Sequence, residues 1–216
     1  LEVRTGGVDV TASPPGGERT ESFDRVVLAT TATVAKRLTD GLDGVALDAP
    51  QRAFLASQSY AANVHICYRV PRMSEGPGLN AIFPCGTDRS PLAALGFNRR
   101  KSLQPPTHPT ELVSVYLSDP ESLRVMDWSD EDLATHGLAL GRSVFPTLPS
   151  EAEVFHIARR REAIPVHSVG RYRLAVDFQA AQAHGDRQVY FCGDYLATAT
   201  IDGAIATGLA VAQAIS

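Results

Sequence analysis

A chain of 216 residues that is 44% hydrophobic and 20% charged can bury a sizeable core, in one domain or two small ones, and reads as globular. A net charge of -4 and the lack of a basic stripe interleaved with aromatics exclude nucleic acid as the natural partner. No apolar run approaches the ~18 residues of a membrane span and no signal peptide is evident, while Cys67, Cys85 and Cys192 are odd in number and widely spaced, which points to a reducing, cytoplasmic setting and no metal site.

Two short alternating strands, Leu1-Glu-Val-Arg and Val8-Asp-Val-Thr, flank a Gly6-Gly7 turn, and Pro14-Pro-Gly-Gly17 makes a second turn before an apolar strand over 23–29. A chain that opens inside a strand pattern reads as part of something longer. Short helices are expected over 33–38 and 51–57, with a loop over 41–44 and Pro50 between them. Residues 60–70 form a long strand in which Val64, Ile66 and Tyr68 alternate with His65, Cys67 and Arg69. Further strands are expected over 79–83, 92–97 and 112–117, separated by the Pro-rich stretch 104–109 and by Asp119-Pro120, and connections this short favour antiparallel pairing. Ser129 caps an amphipathic helix over 130–145, whose Asp130, Glu131 and Asp132 suit the positive helix N-terminus. A strand over 153–159 and a helix over 170–184 complete the middle of the chain. In that helix Leu174, Val176, Phe178, Ala181 and Gln182 are partly in register.

The end of the chain organises the rest. Val189 to Cys192 is a short apolar strand of the kind buried on both faces, and Gly193-Asp194 closes it. Asp202 is placed to cap a final helix that carries no charge from Gly203 to Ile215, and such a helix is expected to be covered on most sides. Its Ala204, Ile205, Gly208, Leu209, Ala212 and Ile215 follow the helical period, and the small residues admit another backbone or a flat ligand. A carboxylate and a ring of backbone N–H groups then share one crevice. An ordinary sheet edge with a capped helix fits the pattern about as well.

The string Val189-Tyr-Phe-Cys-Gly-Asp194, followed by Ile201-Asp-Gly-Ala-Ile-Ala-Thr-Gly-Leu-Ala-Val-Ala212, resembles the C-terminal flavin-binding segment of FAD-dependent amine oxidases, protoporphyrinogen oxidases and carotenoid desaturases. Cys192 stands where that family usually has Ala, and Thr207 where it usually has Ser. The stretch Asp24-Arg-Val-Val-Leu-Ala-Thr30 is similar to a second family segment, with Thr31 in place of the usual Pro.

The resemblance implies an α/β fold with an α+β insertion. Residues 1–44 and 166–216 would form the C-terminal part of a Rossmann-like FAD domain, and 45–165 a mixed or antiparallel-sheet substrate domain. Gly193, Asp194, Thr200, Ile201, Gly203, Ala204, Ala29 and Thr30 would contact FAD, with the amides of Ile201, Gly203 and Ala204 facing the flavin pyrimidine and Asp194 taking a ribityl hydroxyl. Ala163-Ile-Pro-Val166 resembles a turn that passes near the flavin. His65 aligns with the lysine of amine-oxidising members and is the candidate catalytic residue, which leans the reading toward protoporphyrinogen oxidase or desaturase. A satisfied sheet histidine accounts for His65 more readily than a catalytic role.

The Gly-x-Gly-x-x-Gly turn that seats the FAD pyrophosphate in this family has no counterpart. The nearest string, Gly76-Pro-Gly78-Leu-Asn-Ala81, leads into Ile82-Phe83-Pro84 instead of a helix. A small-molecule substrate and a separate N-terminal half are therefore the expected partners. Arg159-Arg-Arg161 and Arg99-Arg-Lys101 suit an acidic substrate or peripheral contact with an anionic membrane, but solvated loop charge explains both better. A non-catalytic interaction module, one chain of a split flavoenzyme, and an unrelated nucleotide-binding enzyme are the competing readings.

Overall fold

The computed structural model describes residues 1–42, 47–73, 78–85, 90–100, 109–183 and 187–215. Gly44, Gly76, Lys101, most of the Pro-rich stretch and His184 lie outside the described residues. Two units form, Leu1–Ser59 with Pro165–Ser216, and Tyr60–Ile164.

In the first unit, β1 (Glu2–Arg4), β2 (Gly7–Ala12) and β3 (Arg19–Phe23) make an antiparallel meander. The expected single strand over 23–29 is two strands. Phe23 pairs with Val8, the chain turns at Asp24-Arg25, and β4 (Val26–Leu28) leaves to pair in parallel with β10 (Val189–Phe191), Val26 opposite Val189 and Leu28 opposite Phe191. All three β10 residues are buried, as a strand covered on both faces requires. Around this pair stand α1 (Ala32–Thr39), α2 (Ala49–Ser57), α5 (Arg171–Ala183) and α6 (Ile201–Ile215). Helix α2 opens on a capping box, with Asp48 accepting from the Gln51 N–H and the Gln51 side chain accepting from the Asp48 N–H.

The boundary between the units falls after Ser59, not after residue 44, so α2 belongs with the first unit. The reason is packing: the Phe54 ring lies 5.3 Å from Phe178 of α5, and the Gln51 amide donates to the Phe178 carbonyl at 3.2 Å.

Helices α5 and α6 depart from their sequence patterns. The expectation that α6 is covered on most sides fails: only Gly203, Thr207 and Val211 are buried, while Ile201, Ile205 and Leu209 are 80%, 55% and 60% exposed. A single row spaced by four meets the unit, Val211 packing with Tyr190 and Cys192, and the opposite row is an open apolar stripe. In α5 the buried positions are Arg171, Ala175, Phe178 and Gln182. Leu174 and Val176 are exposed, because the inward row is chosen by hydrogen bonding to neighbouring backbone as well as by hydrophobicity.

The second unit is a five-stranded sheet in the order β6 (Ala81–Ile82), β7 (Leu92–Phe97), β8 (Thr110–Leu117), β5 (Tyr60–Pro71), β9 (Glu153–Pro165). The β6–β7, β7–β8 and β8–β5 pairs are antiparallel. One face carries the core, in which Val64, Ile66, Tyr68, Leu95, Val113 and Val115 meet Leu133 of α4 (Asp130–Val144). Ser129 caps α4 as expected, accepting from the Asp132 N–H. The helix sits close because Gly137 has no side chain: a Cβ there would stand 2.6 Å from both Ile66 Cδ1 and the Tyr68 hydroxyl. That hydroxyl donates to the Ala134 carbonyl at 2.6 Å, and burial pushes the phenol well above its ordinary pKa.

Asp119-Pro120 does not merely separate strands. It opens a helix, α3 (Asp119–Val125), with Pro in the first turn, where its missing N–H costs nothing. Asp119 accepts from the Ala62 N–H at 2.6 Å and Ser122 from the Val64 N–H at 2.9 Å, tying α3 to the first part of β5. Strand β9 runs on to Pro165, so Arg159-Arg-Arg161 lies in a strand instead of a loop, and the turn expected over 163–166 is strand as far as Pro165.

Candidate functional site

The turn after β10 is built from backbone and held by side chains that come from elsewhere in the first unit. Gly193 has φ 155°, and a Cβ there would fall 2.7 Å from the Tyr195 ring, so only glycine fits. Its N–H donates to Thr207 Oγ1 at 3.0 Å, and the Thr207 hydroxyl in turn donates within reach of the carbonyl oxygens of Ala204 at 3.0 Å and Gly193 at 3.2 Å. Asp194–Leu196 then makes one 3-10 turn. Arg171, only 2% exposed, spreads its guanidinium over the carbonyls of that turn, donating to Tyr195 O, to Ala197 O at 3.2 Å and, at longer range, to Asp194 O at 3.5 Å. Gln179 adds a bond to Leu196 O at 2.9 Å. The Gln182 amide pairs with both the N–H and the carbonyl of Phe191, each at 3.0 Å, in the manner of a neighbouring strand.

This scaffold leaves the Asp194 carboxylate partly buried and without a hydrogen bond among the described residues; its backbone carbonyl, not its side chain, takes the Ala197 N–H. Partial desolvation, and then the Arg171 guanidinium, hold the His167 imidazole below its ordinary pKa, while Asp194 pulls the other way.

At the start of α6 the cap is Thr200, not Asp202. The Thr200 hydroxyl accepts from the Gly203 N–H at 3.1 Å, its carbonyl accepts from the Ala204 N–H at 3.1 Å, and Asp202 lies exposed in the first turn. Two of the three amides expected to face a ligand, those of Gly203 and Ala204, are thus engaged. The N–H groups of Ile201 and Asp202 make no hydrogen bond among the described residues and stand at the positive end of a 15-residue helix. Gly203 must be glycine, since a Cβ would collide with the Thr198 carbonyl and lie 2.8 Å from its hydroxyl. Thr30 O lies beside Gly193, so Ala29-Thr30, Gly193-Asp194 and the start of α6 gather at the carboxyl end of the parallel strand pair, the usual ligand crevice of such sheets.

The second unit contributes a cleft of about 740 Å³, within the ~300–1,000 Å³ range of small-molecule sites. It opens on the sheet face turned away from α4 and is lined by Asn63, Gly96, Tyr116, Arg160 and Ile164 among others. His65 is opposite Tyr116 in the β5–β8 register, and the two rings stack with centroids 4.4 Å apart and planes 7° off parallel. His65 does not itself line the cleft; it reaches it through Tyr116.

A free carboxylate suited to a hydroxyl, unbonded N–H groups at a helix N-terminus and glycine-narrowed backbone fit a sugar-bearing, partly anionic cofactor. Among the described residues no group of three or more His, Cys, Asp or Glu side chains could hold a metal ion. A family model for flavin-containing amine oxidoreductases matches residues 1–216.

The chain belongs to that family. Among solved structures it is similar to a protein assigned as a protoporphyrinogen oxidase from Exiguobacterium sp. 255-15, at 12% identity and TM-score 0.70, covering 99% of this chain and 45% of that one. It is also similar to putrescine oxidase bound to putrescine, at 18% identity and TM-score 0.65, covering 99% and 46%. No curated protein matches the sequence. The chain therefore folds as part of the amine oxidoreductase architecture, a small parallel sheet plus a largely antiparallel five-stranded one, and spans about half the length of the structures it resembles.

Within this flavin amine oxidoreductase chain, the supports of the turn that the sequence did not single out are Arg171 and Gln179, and Thr207, noted there only as a replacement for Ser, gains its role as a support from the structure. Arg171 follows Gly170 at the start of a predicted helix, where an arginine is unremarkable; only its burial exposes its role.

Proposed function

We propose that the first unit forms the flavin-facing wall of an FAD-dependent oxidoreductase and that the sheet cleft of the second unit receives the small molecule to be oxidised. One observation carries this reading: the Asp194 carboxylate is held unbonded beside the positive end of α6 by the Thr207 and Arg171 anchors. Asp194 takes a ribityl hydroxyl, and the N–H groups of Ile201 and Asp202 favour the anionic, reduced pyrimidine edge as oriented dipoles do. FAD, when bound, supplies the acceptor for the two electrons leaving a substrate C–H or N–H bond. Ala29 and Thr30 pack against the same cofactor.

Tyr116, which lines the cleft and is held by stacking on His65, orients the substrate. A histidine where amine-oxidising members resemble one another in having lysine supports a protoporphyrinogen-oxidase-like or desaturase-like substrate over a simple amine.

The pyrophosphate-binding turn is supplied by further sequence of the same product or by a separate chain. The exposed apolar row of Ile201, Ile205 and Leu209 on α6 supports this, as a face that another segment could cover.

Flavin absorbance of the purified chain and of the longest product of its gene tests the proposal. A yellow longer product with a colourless 216-residue chain is the expected result, and a colourless longer product would overturn it.

A further inference from the structure

The three consecutive arginines of β9 divide between the two faces of the sheet. Arg159 donates to Asp130 at 2.5 Å and to the Trp128 carbonyl at 2.9 Å, and Arg161 to Asp127 at 3.0 and 3.3 Å. Both are therefore committed to the acidic start of α4 and the loop before it. Arg160, between them, points to the opposite face by the two-residue alternation of a strand, where it lines the cleft. It makes no ion pair with the described residues.

Arg160 is the only cation among the described lining residues, and none of them is an acid; the remainder are Asn, Ala, Gly, Phe, Ile and the Tyr116 phenol. Glu162, two residues further along the same face, is not part of the lining. A cleft with an apolar body and one cation at its edge is matched by a ligand with an apolar body and one anionic group. A di-cationic ligand would meet no carboxylate and would face Arg160 as well.

We propose that this cleft selects small apolar molecules bearing a carboxylate, with Arg160 as the residue that sets the charge preference. The guanidinium fork suits a carboxylate through two parallel N–H···O bonds. Calling the ligand a substrate rests on the function proposed above, but the charge preference does not.

The test is fluorescence titration of the protein with three probes that share one ring system: 1-pyrenebutyrate, 1-pyrenebutanol and 1-pyrenebutylamine. The butyrate is expected to bind about tenfold tighter than the alcohol, and the amine more weakly than either. Arg160→Gln should bring the butyrate to the affinity of the alcohol and leave the alcohol unchanged. Arg160→Lys should keep part of the preference, and Arg161→Gln all of it. Equal binding of the three probes, tighter binding of the amine, a preference that survives Arg160→Gln, or no binding of any probe would each overturn the proposal. Flavin absorbance reads the other proposal independently: a yellow protein without carboxylate preference sinks only this one, and a colourless longer product that still prefers the butyrate sinks only that one.

Discussion

Gly193 and Thr207 are 14 residues apart and are joined through one hydroxyl oxygen, which accepts the Gly193 N–H at 3.0 Å and lies 3.2 Å from the Gly193 carbonyl oxygen. The turn that presents Asp194 is thereby tied to the second turn of α6, so the carboxylate and the helix N-terminus keep their spacing. The resembled family usually has Ser at the position of Thr207, and the bond explains why either residue serves: both supply the hydroxyl.

Removing that hydroxyl without changing shape should therefore be costly. Thr207→Val leaves the part-buried Gly193 N–H without its partner and is expected to lower stability by about 1–2 kcal/mol, read as a lower urea midpoint at constant slope. Thr207→Ser should retain most of the wild-type midpoint.

The glycines of the closing segment should respond in opposite directions to one substitution. Gly193→Ala combines a disfavoured φ with a Cβ 2.7 Å from the Tyr195 ring, and is expected to cost about 2–4 kcal/mol. Gly203→Ala should behave similarly, against Thr198. At Gly208 a Cβ meets nothing within 4 Å, so Gly208→Ala should raise helix stability by about 0.5–1 kcal/mol. Thermal melts of the three variants check the order.

Arg171→Met should free the Tyr195 and Ala197 carbonyls from their shared donor. The expected loss is about 2–4 kcal/mol, since one buried and one part-buried carbonyl lose their charged donor at once. Arg171→Lys reaches fewer carbonyls and should recover only part of it. Hydrogen exchange of the Ala197 amide, which bonds Asp194 O, should accelerate in both variants.

Acid sensitivity should centre on Glu121. The bond from Arg124, with smaller help from His136, holds its carboxyl below the ordinary value against an opposing desolvation. A carboxylate whose folded pKa is depressed contributes stability above the unfolded value, about 4.3, and loses it as pH falls through the folded value. Chemical denaturation should thus show a loss below about pH 4.3 that is smaller in Glu121→Gln.

Cys85 is exposed, whereas Cys67 and Cys192 are buried, and burial pushes the Cys192 thiol up. Iodoacetamide on the native protein should modify Cys85 first and leave Cys192 intact until denaturant is added, as peptide mass mapping would show.

The sequence by itself determined most element positions, the Ser129 cap, the antiparallel middle of the chain and the flavin-family segment at its end. Those features rest on local signals, such as alternation, capping residues, glycine turns and short connections, which need no knowledge of what lies across the fold. Only the tertiary structure decided that α2 packs with α5, that Asp119-Pro120 starts a helix, and that Thr200 caps α6 and takes the Gly203 and Ala204 amides. It also decided that Arg171 lies buried under the Asp194 turn and that Arg160 faces the cleft while its neighbours pair with acids. The α2–α5 contact, the burial of Arg171 and the isolation of Arg160 depend on partners distant in sequence, whereas the Thr200 cap is a local choice between two nearby candidates, settled by which side chain reaches the Gly203 N–H. The hydrogen-bond needs of buried carbonyls and amides overrode the apolar pattern in α5, and one-sided contact left half of α6 open, so hydrophobic periodicity alone could not show which row of either helix would turn inward.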